Sequence, residues 1–443
     1  MELYPSQKLA LKFLLKRKKA ILALDMGMGK TIISMLWASY FPRTIVVCPA
    51  PLKDVWRREY AKFLPNTFVL IVKEPSDLAR AKSLIEKHNC VIVMNYETLS
   101  KAALCLPLFK AAKSVIVDEA HAFKNISAKR TKMFYNLMKE STARLCLLTG
   151  TPITNRVPEL YMLLKLCDTK QYKQRLKSIS PTFKDFAKKF AVPETKVVNG
   201  VPIESFTGVK NVEELQNFIR TRMLRMDIGS CIELPPLEMI YMRAEVSPQK
   251  LLEADKRLSE AWEAWRAGKN DDNMTVAKQN MAILKVPTTL GIIKKHLGKG
   301  ESIVVFSDFI LPLQQISGWL ARNDIKFGIL AGPANEKTRK ASEKLFQLKK
   351  IRVLLCSISV GKEGFTLTAG NILVFNDLSW VPARNSQSER RIYRLGQTKP
   401  CKVYKVLAGD VDNRICEVLE EKNITITTVL EGITTENPSP PSK

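Results

Sequence analysis

Four small or apolar residues, Ser114-Val115-Ile116-Val117, run directly into Asp118-Glu119-Ala120-His121. The lead-in has the length and unbroken apolarity of a strand buried on both faces of a parallel sheet. Two carboxylates and an imidazole then stand together at the end of that strand, where open α/β sheets carry their chemistry. Well upstream lies Gly27-Met28-Gly29-Lys30-Thr31, a turn with the composition of a phosphate cradle. A chain holding both features is constrained to bring a strand end and a glycine turn together around a triphosphate. That combination predicts a nucleoside triphosphatase.

The remaining sequence fits such a sheet. Residues 20–24, 44–48, 68–72, 90–94, 114–117 and 144–148 read as strands, separated by helix-like stretches such as 32–40, 55–63 and 78–87. This alternation predicts a parallel sheet covered on both faces by helices. Between 166 and 298 the strand signal fades and helical pattern dominates, with long stretches at 251–265 and at 274–297, the second interrupted at Pro287. Alternation resumes at 302–306, 327–330, 351–356, 371–375 and 401–406, without a second Gly-x-Gly-Lys-Thr turn. The expected organisation is an N-terminal ATP-binding α/β domain over 1–165, a mostly helical insertion over 166–298, a second α/β domain over 299–430, and a flexible Pro/Ser-rich tail over 431–443.

The run at 20–24 leads at once into the glycine turn and then into a helical stretch, which is the context a phosphate loop needs. Glycines let backbone N–H groups approach phosphate oxygens, and the helix N-terminus adds a favourable dipole. Lys30 is expected to pair with the β- and γ-phosphates and Thr31 to bind Mg²⁺. The strict G-x-x-x-x-G-K-[ST] pattern is not met, because Leu24 occupies its first glycine position. Asp118 is expected to hold Mg²⁺ directly or through water, and Glu119 to polarise the attacking water. His121 is open to two readings: contact with the γ-phosphate, or the structural role favoured for an isolated histidine.

Charge narrows the partner. Seventy Lys and Arg oppose 43 Asp and Glu, a net charge of +27. Self-repulsion on that scale is costly unless a polyanion shares the surface. Nucleic acid is the leading candidate and an anionic membrane surface the second. No apolar stretch approaches the roughly 20 residues a span requires, so the membrane reading falls away. The nine cysteines never fall at Cys-x-x-Cys spacing and only three histidines accompany them, which argues against zinc. Cys48, Cys146 and Cys356 sit in apolar runs, where a reduced thiol packs as a small hydrophobe. The expectation is an intracellular, reducing compartment: the cytoplasm of a bacterium or of a virus-infected host, or a nucleus.

At this point the motifs resemble a known group. Asp118-Glu119-Ala120-His121 with Lys124-Asn125, and Leu148-Thr149-Gly150-Thr151-Pro152-Ile153 with Asn155, are similar to superfamily-two helicases of the Swi/Snf family of DNA-translocating ATPases. Tyr4-Pro5 with Gln7 resembles the family's adenine-reading start. Val46-Val47-Cys48-Pro49 with Leu52, Trp56 and Glu59 resembles its first DNA-contacting segment, and Asn95-Tyr96-Glu97-Thr98-Leu99 its second. Arg222-Met223-Leu224-Arg225 with Leu234-Pro235-Pro236 resembles a boundary signature of the family. Val304-Val305-Phe306-Ser307, Gly332, Arg339 and Phe346-Gln347 follow in order, then Trp380 with Pro382, and Gln387, Arg391 and Arg394-Leu395-Gly396-Gln397-Thr398. Ser357-Ile358-Ser359-Val360 with Gly364-Phe365-Thr366 is most similar to the annealing-helicase branch. The likeness spans roughly residues 3 to 415. Lys362, Arg390 and Tyr393 depart from the family pattern, where a small residue, an acidic residue and a histidine are usual. The family's accessory modules are not found, which leaves a chain close to a bare motor.

The resemblance implies two RecA-like domains facing an ATP cleft, with ATP and Mg²⁺ as cofactors. Gln7, Gly27, Met28, Gly29, Lys30, Thr31 and Gly364 would bind nucleotide, with Thr31 and Asp118 on the metal. Glu119 and Lys30 would be joined in catalysis by Gln387 and by Arg391 and Arg394 as arginine fingers. His121, Thr149, Gly150 and Thr151 would couple the site to movement. Pro49, Lys53, Tyr96, Thr98, Ser307, Ser357 and Thr366 would touch the DNA backbone. Trp380 would pack at that edge, with core packing an equal alternative. Lys173, Arg175, Lys177, Lys188 and Lys189 are expected to help clamp a duplex. The implied function is an ATP-driven translocase on double-stranded or branched DNA, working as a monomeric core, that remodels or reanneals DNA or displaces proteins. Two alternatives stand beside it: a strand-separating DNA or RNA helicase, and a nucleic-acid-binding module switched by ATP.

Overall fold

The computed structural model describes residues 3–170, 172, 174–198, 201–231, 234–266, 272–332, 334–359 and 365–431. Lys173, Val360, Lys362, Gly364 and the expected tail, apart from Glu431, lie outside the described residues. The chain divides into two compact units. One comprises Met1–Val192, Phe206–Ile232 and Thr425–Lys443, the other Pro193–Ser205 and Glu233–Ile424.

In the first unit, β1 (Lys19–Leu24), β2 (Thr44–Cys48), β3 (Phe68–Ile71), β4 (Cys90–Asn95), β5 (Ser114–Val117) and β6 (Arg144–Leu148) alternate with helices, as the periodicity predicts. β2 and β5 are buried at every residue, the mark of strands covered on both faces. The covering helices present apolar stripes at helical spacing. Leu78, Ala81 and Ile85 are the buried positions of Asp77–Lys87; Phe134, Leu137 and Met138 are buried on Lys129–Glu140. Phe134 stacks on Phe123 at 4.5 Å, which fixes the segment just after the acidic pair against this layer.

The stretch from 166 to 298 carries strands as well as helices. β7 (Val192–Val198) and β8 (Val201–Thr207) form a separate two-stranded sheet. β9 (Met223–Met226) adds an edge to the first sheet, and β10 (Leu237–Arg243) adds an edge to the second. None of these four was visible in the sequence. β9 is only four residues long, follows Arg222 and contains Arg225; β10 is largely exposed and lacks a buried stripe. The long helical stretch near Pro287 is two helices, Asp272–Leu284 and Val286–Gly298. Pro287 sits in the first turn of the second, where its missing N–H is tolerated.

The first sheet has the order β3-β4-β2-β5-β6-β1-β9, and every neighbouring pair is parallel. The second unit contains β10, β11 (Ile303–Ser307), β12 (Phe327–Leu330), β13 (Val353–Ser357), β14 (Ile372–Phe375) and β15 (Cys401–Leu407). Their order is β10-β15-β14-β11-β13-β12, again all parallel. Two parallel-sheet domains are therefore what the sequence predicts and what the structure contains.

β9 is tethered by Arg222, which is 1% exposed. Its guanidinium donates to the Phe218 carbonyl at 3.2 Å, the Gln174 carbonyl at 2.5 Å and Asp168 Oδ1 at 3.3 Å, and it stacks over Phe218 and Tyr172. Breaking a buried pair by removing one partner costs about 3–5 kcal/mol. Arg222→Ala is expected to lower stability by that order, read as a shifted urea midpoint in far-UV circular dichroism.

Candidate nucleotide site on the first sheet

Parallel strands deliver all their carboxyl ends to one edge. Along that edge of the first sheet stand, in order, Asn95-Tyr96 at the end of β4, Pro49 after β2, Asp118-Glu119 after β5, Thr149-Gly150-Thr151 after β6, the glycine turn after β1, and Asp227 after β9. Neighbouring strands lie about 4.8 Å apart. The acidic pair and the glycine turn flank a single strand, so their backbones are about 10 Å apart, within reach of Lys and Glu side chains.

The turn has the geometry a phosphate loop requires. Gly27 and Gly29 have φ of +88° and +78°, a region that disfavours L side chains. Gly29 caps the helix Lys30–Ser39, whose first turn carries Lys30 and Thr31, both half-buried. A Cβ on Gly29 would stand 2.6 Å from Gln7 Nε2, so the Gln7 amide lies directly against the turn. That amide donates to the Met28 carbonyl at 3.4 Å and accepts from Tyr4 N at 3.1 Å. Leu24 breaks the strict motif without harm, because it is the last residue of β1 and needs no left-handed backbone. Lys30 Nζ donates to the Leu24 and Asp25 carbonyls at 2.8 and 3.0 Å. Burial lowers the Lys30 pKa, opposed by the nearby Glu119, Asp118 and Asp25 carboxylates, which is the electrostatic sign that the two motifs converge.

Asp118 is held by donors on one side and crowded on the other. Trp56 Nε1 donates to its Oδ2 at 3.0 Å and the Glu119 amide to its Oδ1 at 3.0 Å. Burial and the Glu119 charge push the Asp118 carboxyl up to about 6; Trp56 and Lys30 pull it back. Glu119 itself has φ +50° and ψ +52°, a left-handed backbone that costs a non-glycine residue about 1–2 kcal/mol. His121 Nδ1 lies 3.3 Å from Glu119 Oε2 without a hydrogen bond between the two atoms. Lys124 ties this segment to the next one: it bonds Thr154 Oγ1 and pairs with Glu159 at 2.7 Å, while Glu159 accepts from the Thr154 and Asn155 amides. Thr149 is fully buried, and its hydroxyl accepts from the Thr151 amide at 3.1 Å.

A hydroxyl on Thr31, a half-buried carboxylate on Asp118 and surplus negative charge at Glu119 suit Mg²⁺, which takes few protein oxygens and completes its shell with phosphate and water. The glycine turn with Lys30 suits a triphosphate.

One participant was not read as such from the sequence. Arg225, from β9, donates to the Ala23 carbonyl at 3.1 Å and the Gly150 carbonyl at 3.4 Å, and pairs with Asp25 Oδ1 at 3.0 Å. The Ile228 amide donates to the other oxygen of Asp25 at 3.1 Å. Asp25 opens the glycine turn and Gly150 centres the Thr-Gly-Thr turn, so a single guanidinium joins the two. The signal lay within the boundary signature, but only the strand pairing of β9 with β1 gives it meaning.

The residues expected along the DNA path, and Trp56 on the same segment, also have partners within the fold. Trp56, placed on a DNA-contacting segment, is buried and serves Asp118. Tyr96 is also buried, and its hydroxyl donates to the Asp118 and Glu119 carbonyls. Thr98 Oγ1 donates to Asn95 Oδ1 at 2.5 Å, and Lys53 Nζ to the Val72 carbonyl at 3.0 Å. Pro49 stays half-exposed at the start of the Ala50–Leu52 turn. Arg175 is paired with Asp168 and Lys189 with Glu214.

In the second unit Ser307 and Ser357 face one another at paired strand ends. Both are buried. Ser307 Oγ donates to Asp377 Oδ1 at 2.5 Å, and Ser357 Oγ shares a bond with Ser359 Oγ at 2.9 Å. Trp380 packs against Trp262 at 4.8 Å, with Lys278 Nζ 4.4 Å from its ring, which makes it part of a local core. The helix Pro382–Ile392 buries Gln387 and Arg391. Arg391 Nη1 donates to the Phe365 carbonyl at 3.3 Å, and Arg394 Nη1 to Thr366 Oγ1 at 3.2 Å. The structure thus brings Arg391 and Arg394 to the segment Phe365-Thr366 at the end of this helix, with Gln387 one turn earlier.

Residues 6–286 match the family model of the SNF2-related domain, and residues 285–396 that of the helicase conserved C-terminal domain. A SWI/SNF-related matrix-associated actin-dependent regulator of chromatin subfamily A-like protein 1 from Xenopus tropicalis is 26% identical over 95% of this chain and 44% of its own. The human DNA annealing helicase and endonuclease ZRANB3 is 26% identical over 97% of this chain and 40% of its own. An uncharacterized ATP-dependent helicase from Mycoplasma pneumoniae is 27% identical over 93% and 40%. The chain therefore spans less than half the length of these curated relatives. A solved SWI2/SNF2 ATPase core from Sulfolobus solfataricus in complex with dsDNA aligns over 97% of both chains at a TM-score of 0.46 and 21% identity, too low to carry weight.

The Asp118 environment has a pH signature. A carboxyl raised above its unfolded value favours the folded state while protonated, and that contribution is lost as pH rises through about 6. Asp118→Asn is expected to stabilise the ligand-free protein by about 1–2 kcal/mol at pH 7.5 and hardly at all at pH 4.5, read by thermal unfolding at the two pH values.

Proposed function

This chain belongs to the SNF2-related family, and on that premise we propose that it is a DNA-dependent ATPase that uses hydrolysis to move along double-stranded DNA, remodelling or reannealing it or displacing bound proteins. The observation that carries the reading is the convergence of Lys30 with Asp118 and Glu119 along one edge of one sheet, from strand ends on either side of β6.

Each residue has a role that its surroundings support. The glycine turn offers backbone N–H groups and the dipole of the helix Lys30–Ser39 to phosphate oxygens. Lys30 exchanges two carbonyl partners for β- and γ-phosphate oxygens. Gln7, against Gly29, reads the base. Thr31 and Asp118 hold Mg²⁺, which when bound neutralises charge on the phosphates. Glu119 orients the attacking water, and His121, 3.3 Å from Glu119, lies within reach of the γ-phosphate's surroundings. Arg225 and Lys124 transmit the state of the turn to Thr149-Gly150-Thr151 and to the segment after it. Arg391 and Arg394, with Gln387 beside them, supply positive charge to the transition state, a contribution worth ~10³–10⁵ in rate. Gly364 belongs to the same set by resemblance alone.

Duplex or branched DNA is the proposed track, supported by the +27 charge and by the DNA annealing helicase among the relatives. A reducing compartment is proposed with it, supported by the thiols of Cys48, Cys146 and Cys356, which are buried and free.

ATP hydrolysis measured over duplex, forked, single-stranded DNA and RNA tests the proposal. Duplex or forked DNA is expected to stimulate turnover at least tenfold. Lys30→Ala and Glu119→Gln are expected to abolish the stimulated rate, by about 10² or more, while leaving DNA binding in a filter assay. Stimulation by RNA or single strands alone favours the strand-separating alternative, and slow unstimulated turnover the switch. Wild-type turnover in either variant contradicts the site.

A further inference from the structure

A hollow of about 250 Å³ lies at the end of β1 remote from the glycine turn. At ~30 Å³ per water it has room for about eight. Four ammonium groups from three elements line it: Lys18 and Lys19 at the start of β1, Lys139 in the last turn of the helix Lys129–Glu140, and Lys165 on the helix Leu160–Cys167. Strand β1, six residues at ~3.3 Å each, separates it from the nucleotide site by about 20 Å. Nothing in the ATPase reading uses it.

A basic protein has many surface lysines, but these differ in being gathered around one concavity. Lys19, Lys139 and Lys165 have no carboxylate within 4.0 Å among the described residues. The acid in the lining, Asp168, is already engaged by Arg175 at 3.0 Å, Arg222 at 3.3 Å and the Leu176 amide at 3.2 Å. Lys165 is steadied over the rings of Tyr135 and Tyr161 at 5.1 and 5.5 Å. Burial lowers the Lys19 pKa more than Cys167 and Asp168 raise it, so a cation is held partly out of water without a matching charge. Thr169 Oγ1, in the same lining, is buried and has no hydrogen-bond partner among the described residues. A concave site with excess positive charge and an unused hydroxyl suits a compact oxyanion with several acceptor oxygens. Lysine serves phosphate as a mobile point charge and needs no planar geometry.

We propose that this hollow is a second phosphate-binding site, distinct from the nucleotide site and placed at the opposite end of the same strand. The phosphate belongs to a free polyphosphate anion or to a nucleic-acid backbone. The inference stands independently of the ATPase reading.

Calorimetric titration of pyrophosphate into Lys30→Ala protein, whose glycine turn is disabled, is the first arm. One saturable site is expected. Adding Lys139→Gln and Lys165→Gln should weaken it at least tenfold. Thr169→Val should weaken it without lowering thermal stability, since the hydroxyl it removes is unsatisfied. The second arm titrates a short duplex across salt concentrations. For a backbone phosphate, the log–log salt slope of the Lys139→Gln/Lys165→Gln protein falls by about two and pyrophosphate does not saturate. With Lys30 intact, that double variant is expected to keep its basal ATP hydrolysis, which excludes misfolding. Pyrophosphate binding undiminished in every variant, or no saturable binding together with an unchanged salt slope, overturns the inference.

Discussion

The parallel register of β2, β5, β6, β1 and β9 is the constraint on which the rest of the first unit depends. Because Val47 is level with Val117, Leu22 with Leu148 and Leu24 with Met226, the residues that follow these strands emerge side by side. No loop has to travel to bring Lys30 towards Asp118. A slip of one residue in β5 would turn its alternating side chains to the opposite faces and carry the acidic pair away from the turn. The fully buried apolar strands make such a slip costly, so the chemistry inherits its precision from the core.

Around that edge the protein stores unfavourable terms rather than relieving them. Asp118 and Glu119 are half-buried together, Glu119 sits in a left-handed backbone, and Lys30 rests on two carbonyls. Perturbed carboxyls and local strain cluster where a structure is poised for a ligand. Arg225 and Lys124 keep the strained pieces in register from either side, and neither touches solvent alone: each answers a carboxylate and an oxygen of the neighbouring segment. A nucleotide with its metal would meet most of these terms at once.

Much of this was legible in the chain. Strands with four to six continuous apolar residues were found within a residue or two, since burial on both faces leaves an unmistakable run. The turn and the acidic pair were legible because their chemistry dictates residue type. β9 and β10 were not, because a four-residue strand with arginines in and before it and an exposed edge strand leave no periodic trace. The side-chain directions of Trp56 and Tyr96 were not legible for another reason. Their segments lie at the expected strand ends, but only three-dimensional packing shows that both rings turn inward, one to the carboxylate of Asp118 and the other to its carbonyl. Ser307 and Ser357 follow the same logic, their hydroxyls satisfied within the fold. Position along a sheet edge is written in the sequence; the direction of a side chain at that edge is not.

The most direct measurement is a crystal structure with a non-hydrolysable ATP analogue and Mg²⁺. A nucleotide site at this edge predicts that Lys30 Nζ leaves the Leu24 and Asp25 carbonyls for phosphate oxygens, with the ion on the Thr31 and Asp118 side of the turn. Phosphates bound away from residues 27–31, with Lys30 still resting on those carbonyls, would contradict it.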